Sequence, residues 1–334
     1  MAIVTGGVLA GGLFHVALGA VIGRIRFALP PLVTGTVVLM IGLTLLPVGI
    51  QYAAGGAALA GTADYGGWES WSMALVVLGV TLALSTLGRG IWALAAVLVG
   101  LIAGWAYALA LGAVSLAPVA QAGWLALPVP LRFGVEFQLA AILGFCLMAL
   151  VSAVETLGDV SGVTKTGAGR EPSAREIAGV IYGNGVATLA AGAFGGLPST
   201  SFSQNVGLIA MTGVMSRHVT ALGGVFLALC GLVPKIGALV ASLPIQVLGG
   251  AVIVMFGMVC AAGIRLLADI AWTRRNMTVL ALALSMGLGL QQEPEALQHL
   301  PELARVLLAT GLVPAAVIAI VLNLALPGRE RAGT

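Results

Sequence analysis

The sequence predicts an all-α integral membrane fold built from two inverted repeats, on three observations. Only 8% of the 334 residues are charged and 60% are hydrophobic, against roughly a quarter charged in a soluble domain. The apolar residues come in long runs of the ~20 residues that a helix needs to cross a bilayer core. The alternating ~10-residue segments of a membrane barrel are not seen. Finally, one stretch recurs: Gly35–Gly42 and Gly250–Gly257 both read G-x-V-[V/I]-x-M-x-G, each a few residues after a proline, Pro31 or Pro244.

Taken in order, apolar stretches are expected at about 2–23, 31–50, 71–88, 91–113, 136–160, 176–196, 204–213, 218–240, 245–267, 275–290 and 303–326. Met1 leads straight into the first of them without a basic stretch, so no cleavable leader is expected. Cytoplasmic loops concentrate Lys and Arg. With the C-terminus inside, 12 of the 15 basic residues fall on that side, leaving Arg132, Lys235 and Arg305 outside with Asp64, Glu69, Glu136, Glu293, Glu295 and Glu302. Residue 1 is then expected on the outer side.

The two matching stretches are offset by 215 residues, and the same offset relates 218–240 to 3–25 and 303–326 to 88–111. By the charge rule the copies enter the membrane from opposite sides, as in the inverted repeats of transporters. The offset places the partners of Glu155 and Gln204 ahead of Met1. The second repeat therefore reads as complete and the first as lacking its opening three spans, so the chain is expected to be shortened relative to its working form. The alternative is a natural short form completed by dimerisation.

Residues 204–213 are too few to cross a membrane and follow Gly195-Gly196-Leu197-Pro198-Ser199-Thr200-Ser201-Phe202, which is poor helix material. Broken helices are tolerated at membrane depth where they line a cavity, and in transporters they build the substrate site. Gln204 and Asn205 open this half-helix; a side-chain amide offers donors and acceptors to a heterocycle edge, and the helix start adds unpaired N–H groups. Capping by Ser203 or Asn205 is the plainer reading of the same residues.

Glu155 and Asp159 stand at i, i+4 on one helix face. Carboxylates in a span are costly and mark ion or proton paths, and each raises the other's pKa, so the pair is a candidate proton-coupling element. Asp159 could instead serve the helix end, bonding Thr164 or a loop amide. Cys146, Cys230 and Cys260 lie singly within apolar runs and read as packing residues. His15 could hydrogen-bond within the core, and His218 reads as interfacial. The net charge of +3 is dispersed, which speaks against nucleic acid as a partner. No HExxH, Walker loop or GxSxG points to an enzyme.

Gln204-Asn205-Val206-Gly207-Leu208-Ile209-Ala210-Met211-Thr212-Gly213 resembles the Q-N-x-G-x-x-x-x-T-G signature of the nucleobase–ascorbate transporters, the nucleobase:cation symporter family. Glu155-Thr156-Leu157-Gly158-Asp159 resembles that family's E-[ST]-[ILV]-G-D motif, and Pro30-Pro31-Leu32-Val33-Thr34-Gly35 is similar to its fifth-helix entry. The likeness covers essentially the whole chain, and Gln204 makes it resemble the xanthine- and uric acid-type permeases.

The resemblance implies a seven-plus-seven fold with a short strand before the half-helix, in which a core domain moves against a gate domain. Here the core would be 1–25 and 134–240, incomplete, the gate 26–133 and 241–328, and the cytoplasmic tail 329–334. It implies that Glu155, Gln204, Phe202 and Ser203 bind substrate, and that Glu155, Asp159, Asn184 and Asn205 form the proton-coupling and polar network. Gly207, Thr212 and Gly213 would be structural. Asn184 stands where xanthine-type relatives often carry Asp, so this network departs from the family pattern. The expected activity is proton-coupled purine uptake by a homodimer in the cell membrane, with the proton as coupling ion and no cofactor or metal. A uracil-type permease and a shortened, non-transporting protein of the same fold are the alternatives.

Overall fold

The computed structural model describes residues 1–25, 30–202, 205, 209, 213–268 and 270–327. The elements are α1 (Ala2–Ile25), α2 (Pro31–Ala53), α3 (Gly56–Leu59), α4 (Trp68–Leu87), α5 (Ile91–Leu94), α6 (Ala96–Ala110), α7 (Ala117–Gln121), α8 (Leu139–Ala168), α9 (Ala174–Ala193), α10 (Arg217–Gly231), α11 (Pro234–Ala241), α12 (Ile245–Ala268), α13 (Arg274–Gln292), a 3-10 turn (Pro294–Leu297), α14 (Glu302–Ala309) and α15 (Leu312–Ala325). Among the described residues no strand forms. Five of the helices in the described residues are long and apolar enough to cross a membrane, or six if α10 and α11 make one bent span.

Three of the expected spans are interrupted, two of them for a plain local reason. The stretch at 91–113 breaks at Ala95, at φ −87°, ψ 8°. The stretch at 218–240 bends by 88° between α10 and α11. There Pro234 lacks an N–H and drives Val233 to an extended φ −108°, ψ 93°. The stretch at 303–326 breaks at Gly311, whose φ of 70° suits only glycine comfortably. The short strand expected before the half-helix is not formed, because a strand needs a ladder partner and none lies among the described residues; residues 196–202 are irregular.

Two sets of three helices share a pattern of lengths. α2, α4 and α6 have 23, 20 and 15 residues, while α12, α13 and α15 have 24, 19 and 14. In both sets a short helix and a break precede the last member.

The chain packs as two compact units, Met1–Thr44 with Val129–Val214 and Val259–Thr334, and Leu45–Pro128 with Met215–Met258. These bounds fall inside α2 and α12 and differ from the core and gate bounds read from the sequence. In the first unit α1 lies against α8 and α9. A side chain at Gly11 would strike Phe145, one at Gly12 Leu189, and one at Gly185 the backbone of His15 and Val16. Val8, Ile177 and Ile181 fill the seam, all at most 1% exposed. The first turn of α9 carries a capping box in which the Ser173 side chain and Glu176 satisfy each other's backbone N–H. The hydrogen-bonding Arg170 guanidinium, aided by Ser173, holds the Glu176 carboxyl below the usual carboxylate range. The cap is therefore intact across neutral pH and is lost only as pH falls through that lowered pKa.

In the second unit α4 packs on α6, with Gly100 facing Val77 and Thr81. Met73, Val77, Ala108, Val247 and Ala251 form its buried cluster, and Trp105 Nε1 donates to Ser242 Oγ at 3.1 Å.

α2 and α12 meet through small residues in both units. In the first, Gly35 faces Leu267, Gly42 faces Cys260 and Gly263 faces the Leu39 backbone; in the second, Gly49 faces Ile253 and Gly249 faces Ala53. Rising numbers on one helix meet falling numbers on the other, so within each unit the two copies of the repeated helix run antiparallel at backbone-to-backbone distance. Gly263→Ala should therefore cost about 1–3 kcal/mol through overpacking, whereas Gly257→Ala, with nothing within 4 Å of the added methyl, should be neutral or stabilising. Thermal unfolding of the two purified variants checks this; equal midpoints would refute the tight crossing.

Candidate functional site

The site is built on α8, whose 30 residues make a helix of about 45 Å. Leu, Ala and Val dominate its sequence, and one polar stripe interrupts them: Ser152, Glu155, Thr156 and Asp159, at the i, i+3, i+4, i+7 spacing that shares a face. On α9, Asn184 and Thr188 repeat the i, i+4 spacing.

Between these helices and the motif after residue 203 lies Ser199-Thr200-Ser201, and every residue of it is bonded to one of them. Thr188 Oγ1 accepts from the Ser199 N–H at 3.0 Å and donates to the Ser199 carbonyl at 3.3 Å. Ser152 Oγ donates to Thr200 Oγ1 at 2.8 Å, and Thr200 Oγ1 donates to Glu155 Oε2 at 3.1 Å. Asn184 Nδ2 donates to Thr156 Oγ1 at 2.9 Å, the Thr156 and Ser201 hydroxyls are 3.1 Å apart, and Ser201 Oγ donates to Asp159 Oδ2 at 2.6 Å. That last distance is in the range of a hydrogen bond to a charged carboxylate. Side chains here do what a ladder does for a strand: they satisfy the polar groups of an irregular segment.

The structure thus brings Glu155, Asp159 and Asn184 together. Thr164 donates to the Val160 carbonyl at 2.7 Å, and Asp159 accepts from Ser201, on the opposite segment. Phe202 follows directly and is half exposed. Asn205 is exposed, its N–H bonded to the Phe202 carbonyl at 3.0 Å. Gly213 has φ 67° and its N–H closes on the Ile209 carbonyl at 2.8 Å, the geometry of a glycine ending a helix turn. Ser203, Gln204, Gly207 and Thr212 lie outside the described residues.

Sequence reading missed Ser152, Thr156, Thr188, Thr200 and Ser201. The helical spacing that picked out Glu155 and Asp159 applies equally to Ser152 and Thr156, and would have found them. His15 is buried, 2% exposed, with Nε2 lacking a partner. Among the described residues no three His, Cys, Asp or Glu converge on a metal position. A shallow cavity of about 260 Å³ lined by Arg274, Arg275, Thr278, Leu326 and Pro327 shares no residue with the cluster.

Ser201→Ala should remove a charge-assisted bond worth about 1.5–3 kcal/mol, so amide exchange over 197–202 should speed up roughly ten- to a hundredfold. Ser199→Ala, which keeps the main-chain bonds to Thr188, should leave it unchanged. Exchange mass spectrometry reads both; equal rates in the two variants would dismiss the stitch.

The family model described as "Permease family" (Xan_ur_permease) matches residues 1–296. A protein of Clostridium perfringens named as a purine permease, CPE0397, is 40% identical over 320 residues, covering 96% of this chain and 70% of that one. Uric acid permease PucJ of Bacillus subtilis is 34% identical over 331 residues, 98% of this chain and 73% of that one. Xanthine permease XanQ of Escherichia coli is 33% identical over 325 residues, 96% and 70%. Among solved structures, the transmembrane domain of a cyanobacterium bicarbonate transporter BicA aligns at a TM-score of 0.48 and 16% identity, over 96% of this chain and 80% of that one, a likeness too distant to bear on the arrangement of the helices.

Proposed function

The chain belongs to the Xan_ur_permease family of multi-pass membrane transporters, and from that premise we propose that it moves a purine nucleobase of the xanthine or uric acid type across the membrane in symport with protons. The observation that supports this most is the joining of Glu155 and Asp159 to the Ser199–Ser201 segment that leads into the Gln204 motif. It sets two carboxyls beside the segment expected to carry the substrate-binding residues.

In this reading Glu155 and Gln204 hydrogen-bond the base edge, with Phe202 and Ser203 lining the site. Carboxylates accept and amides both donate and accept, which suits the alternating N–H and C=O groups of an oxidised purine. Protonation at the Glu155–Asp159 pair is coupled to binding, because a substrate or proton shifts the carrier only by its differential affinity for the two states. Asp159 and Asn184 hold the segment, and Asn205, Gly207, Thr212 and Gly213 shape its helix. The mobile core is 1–25 with 134–240 and the gate 26–133 with 241–328; the C-terminus is cytoplasmic, residue 1 external, and the unit a homodimer in the cell membrane. The names of the relatives support the purine class: uric acid for PucJ and xanthine for XanQ.

Uptake of labelled xanthine by cells lacking their own purine permeases tests this. Competition by urate but not uracil is expected, and Glu155→Gln should abolish proton-coupled uptake at unchanged membrane expression. Competition by uracil alone would replace the reading with a pyrimidine carrier, and unimpaired uptake by Glu155→Gln would remove that residue from the mechanism.

A further inference from the structure

Two strings of hydrogen bonds join α8 to residues 200 and 201, and they end differently. One runs Ser152, Thr200, Glu155; the other runs Asn184, Thr156, Ser201, Asp159. A hydroxyl has one hydrogen and can turn it either way, whereas an amide nitrogen only donates. The first string has hydroxyls at both stations behind its carboxyl, so turning two O–H bonds reverses it. A protonated Glu155 can then donate to Thr200, and Thr200 to Ser152.

The second string starts from an amide nitrogen. Thr156 accepts from Asn184 at 2.9 Å, so its hydrogen points to Ser201, and the Ser201 hydrogen points to Asp159 at 2.6 Å. Reversal would turn Ser201 onto an oxygen already accepting from Asn184, and would send the hydrogen of Thr156, 0% exposed, in search of another acceptor. Burial sharpens the contrast: Asp159 is 9% exposed, whereas Thr200 lies open and Glu155 is half-buried.

We propose that Asn184 is a positioning residue that fixes the sense of the Thr156–Ser201–Asp159 string, keeping Asp159 an ionised acceptor that clamps the segment while the Ser152–Thr200–Glu155 string reverses as Glu155 takes up the proton. The proposal rests on the transport reading above. Besides Glu155, α8 itself carries Cys146 and Lys165, and the ionisable residues on the elements packed against α8 are His15 and Arg24 on α1, Arg175, Glu176 and Tyr182 on α9, and Cys260 and Arg265 on α12; the 31–44 part of α2 and all of α15 bring none. None of these is a station of either string.

The test is the pH profile of xanthine uptake by the full chain and by Asn184→Leu, Thr156→Val and Thr156→Ser, at matched membrane expression. Losing the fixed donor makes Asp159 easier to protonate, so in Asn184→Leu and Thr156→Val the acid-side fall in uptake should move up by roughly one pH unit. Thr156→Ser keeps the hydroxyl and should follow the parent. An unmoved acid limb in Thr156→Val, or an equal shift in Thr156→Ser, overturns the proposal; the Thr156 pair decides even if Asn184→Leu does not reach the membrane. No uptake by the parent chain would instead sink the transport reading, and the proposal with it.

Discussion

The hydrogen bond from Ser201 to Asp159 is the constraint on which the site depends. Residues 196–202 have no regular structure, yet belong to a chain made almost wholly of apolar helices. In hydrocarbon an unpaired backbone or hydroxyl group costs several kcal/mol. A segment of this kind persists only where neighbours satisfy it. α8 and α9 do so with side chains: two carboxyls, two hydroxyls, an amide and Thr188. The polar stripe that makes α8 expensive as a membrane helix is the same stripe that makes the irregular segment possible.

That arrangement links stability to activity. Removing one member leaves another buried polar group unsatisfied, a heavier loss than the bond itself. It also places the ionisable groups where they sense the segment's position. If the segment shifts relative to α8, both carboxyls lose donors together and become easier to protonate. A proton-coupled carrier requires such a link between a moving part and a titrating group, and here each carboxyl is joined to the segment by a single hydroxyl, Glu155 by Thr200 and Asp159 by Ser201.

Much of this was legible in the sequence. Low charge and long apolar runs established the class, and Glu155 and Asp159 stood out because acidic residues inside a span need a reason. The recurring glycine-flanked stretch pointed to α2 and α12 as counterparts, and three of its four end glycines are packed too tightly for a Cβ: Gly35 against Leu267, Gly42 against Cys260 and Gly250 against Ala74, whereas Gly257 has open space around it. Helix breaks were harder to read. Ala95, Val233 and Gly311 interrupt runs that are mainly apolar, so hydropathy passes over them, and only Pro234 and Gly311 give a local hint. The hydroxyls of the site were hidden for a different reason. Serine and threonine are common in membrane helices and usually bond back to their own backbone, as Thr36 does to Leu32 at 2.6 Å; nothing in their identity distinguishes Thr156, which reaches across to Ser201 and Asn184.

The most direct measurement of the central claim is calorimetry of xanthine binding to the purified protein in buffers of different ionisation enthalpy. The account predicts a binding enthalpy that varies with the buffer, because a carboxyl of the Glu155–Asp159 pair takes up a proton as the base binds. Binding with the same enthalpy in every buffer, or no binding of xanthine at all, would contradict it.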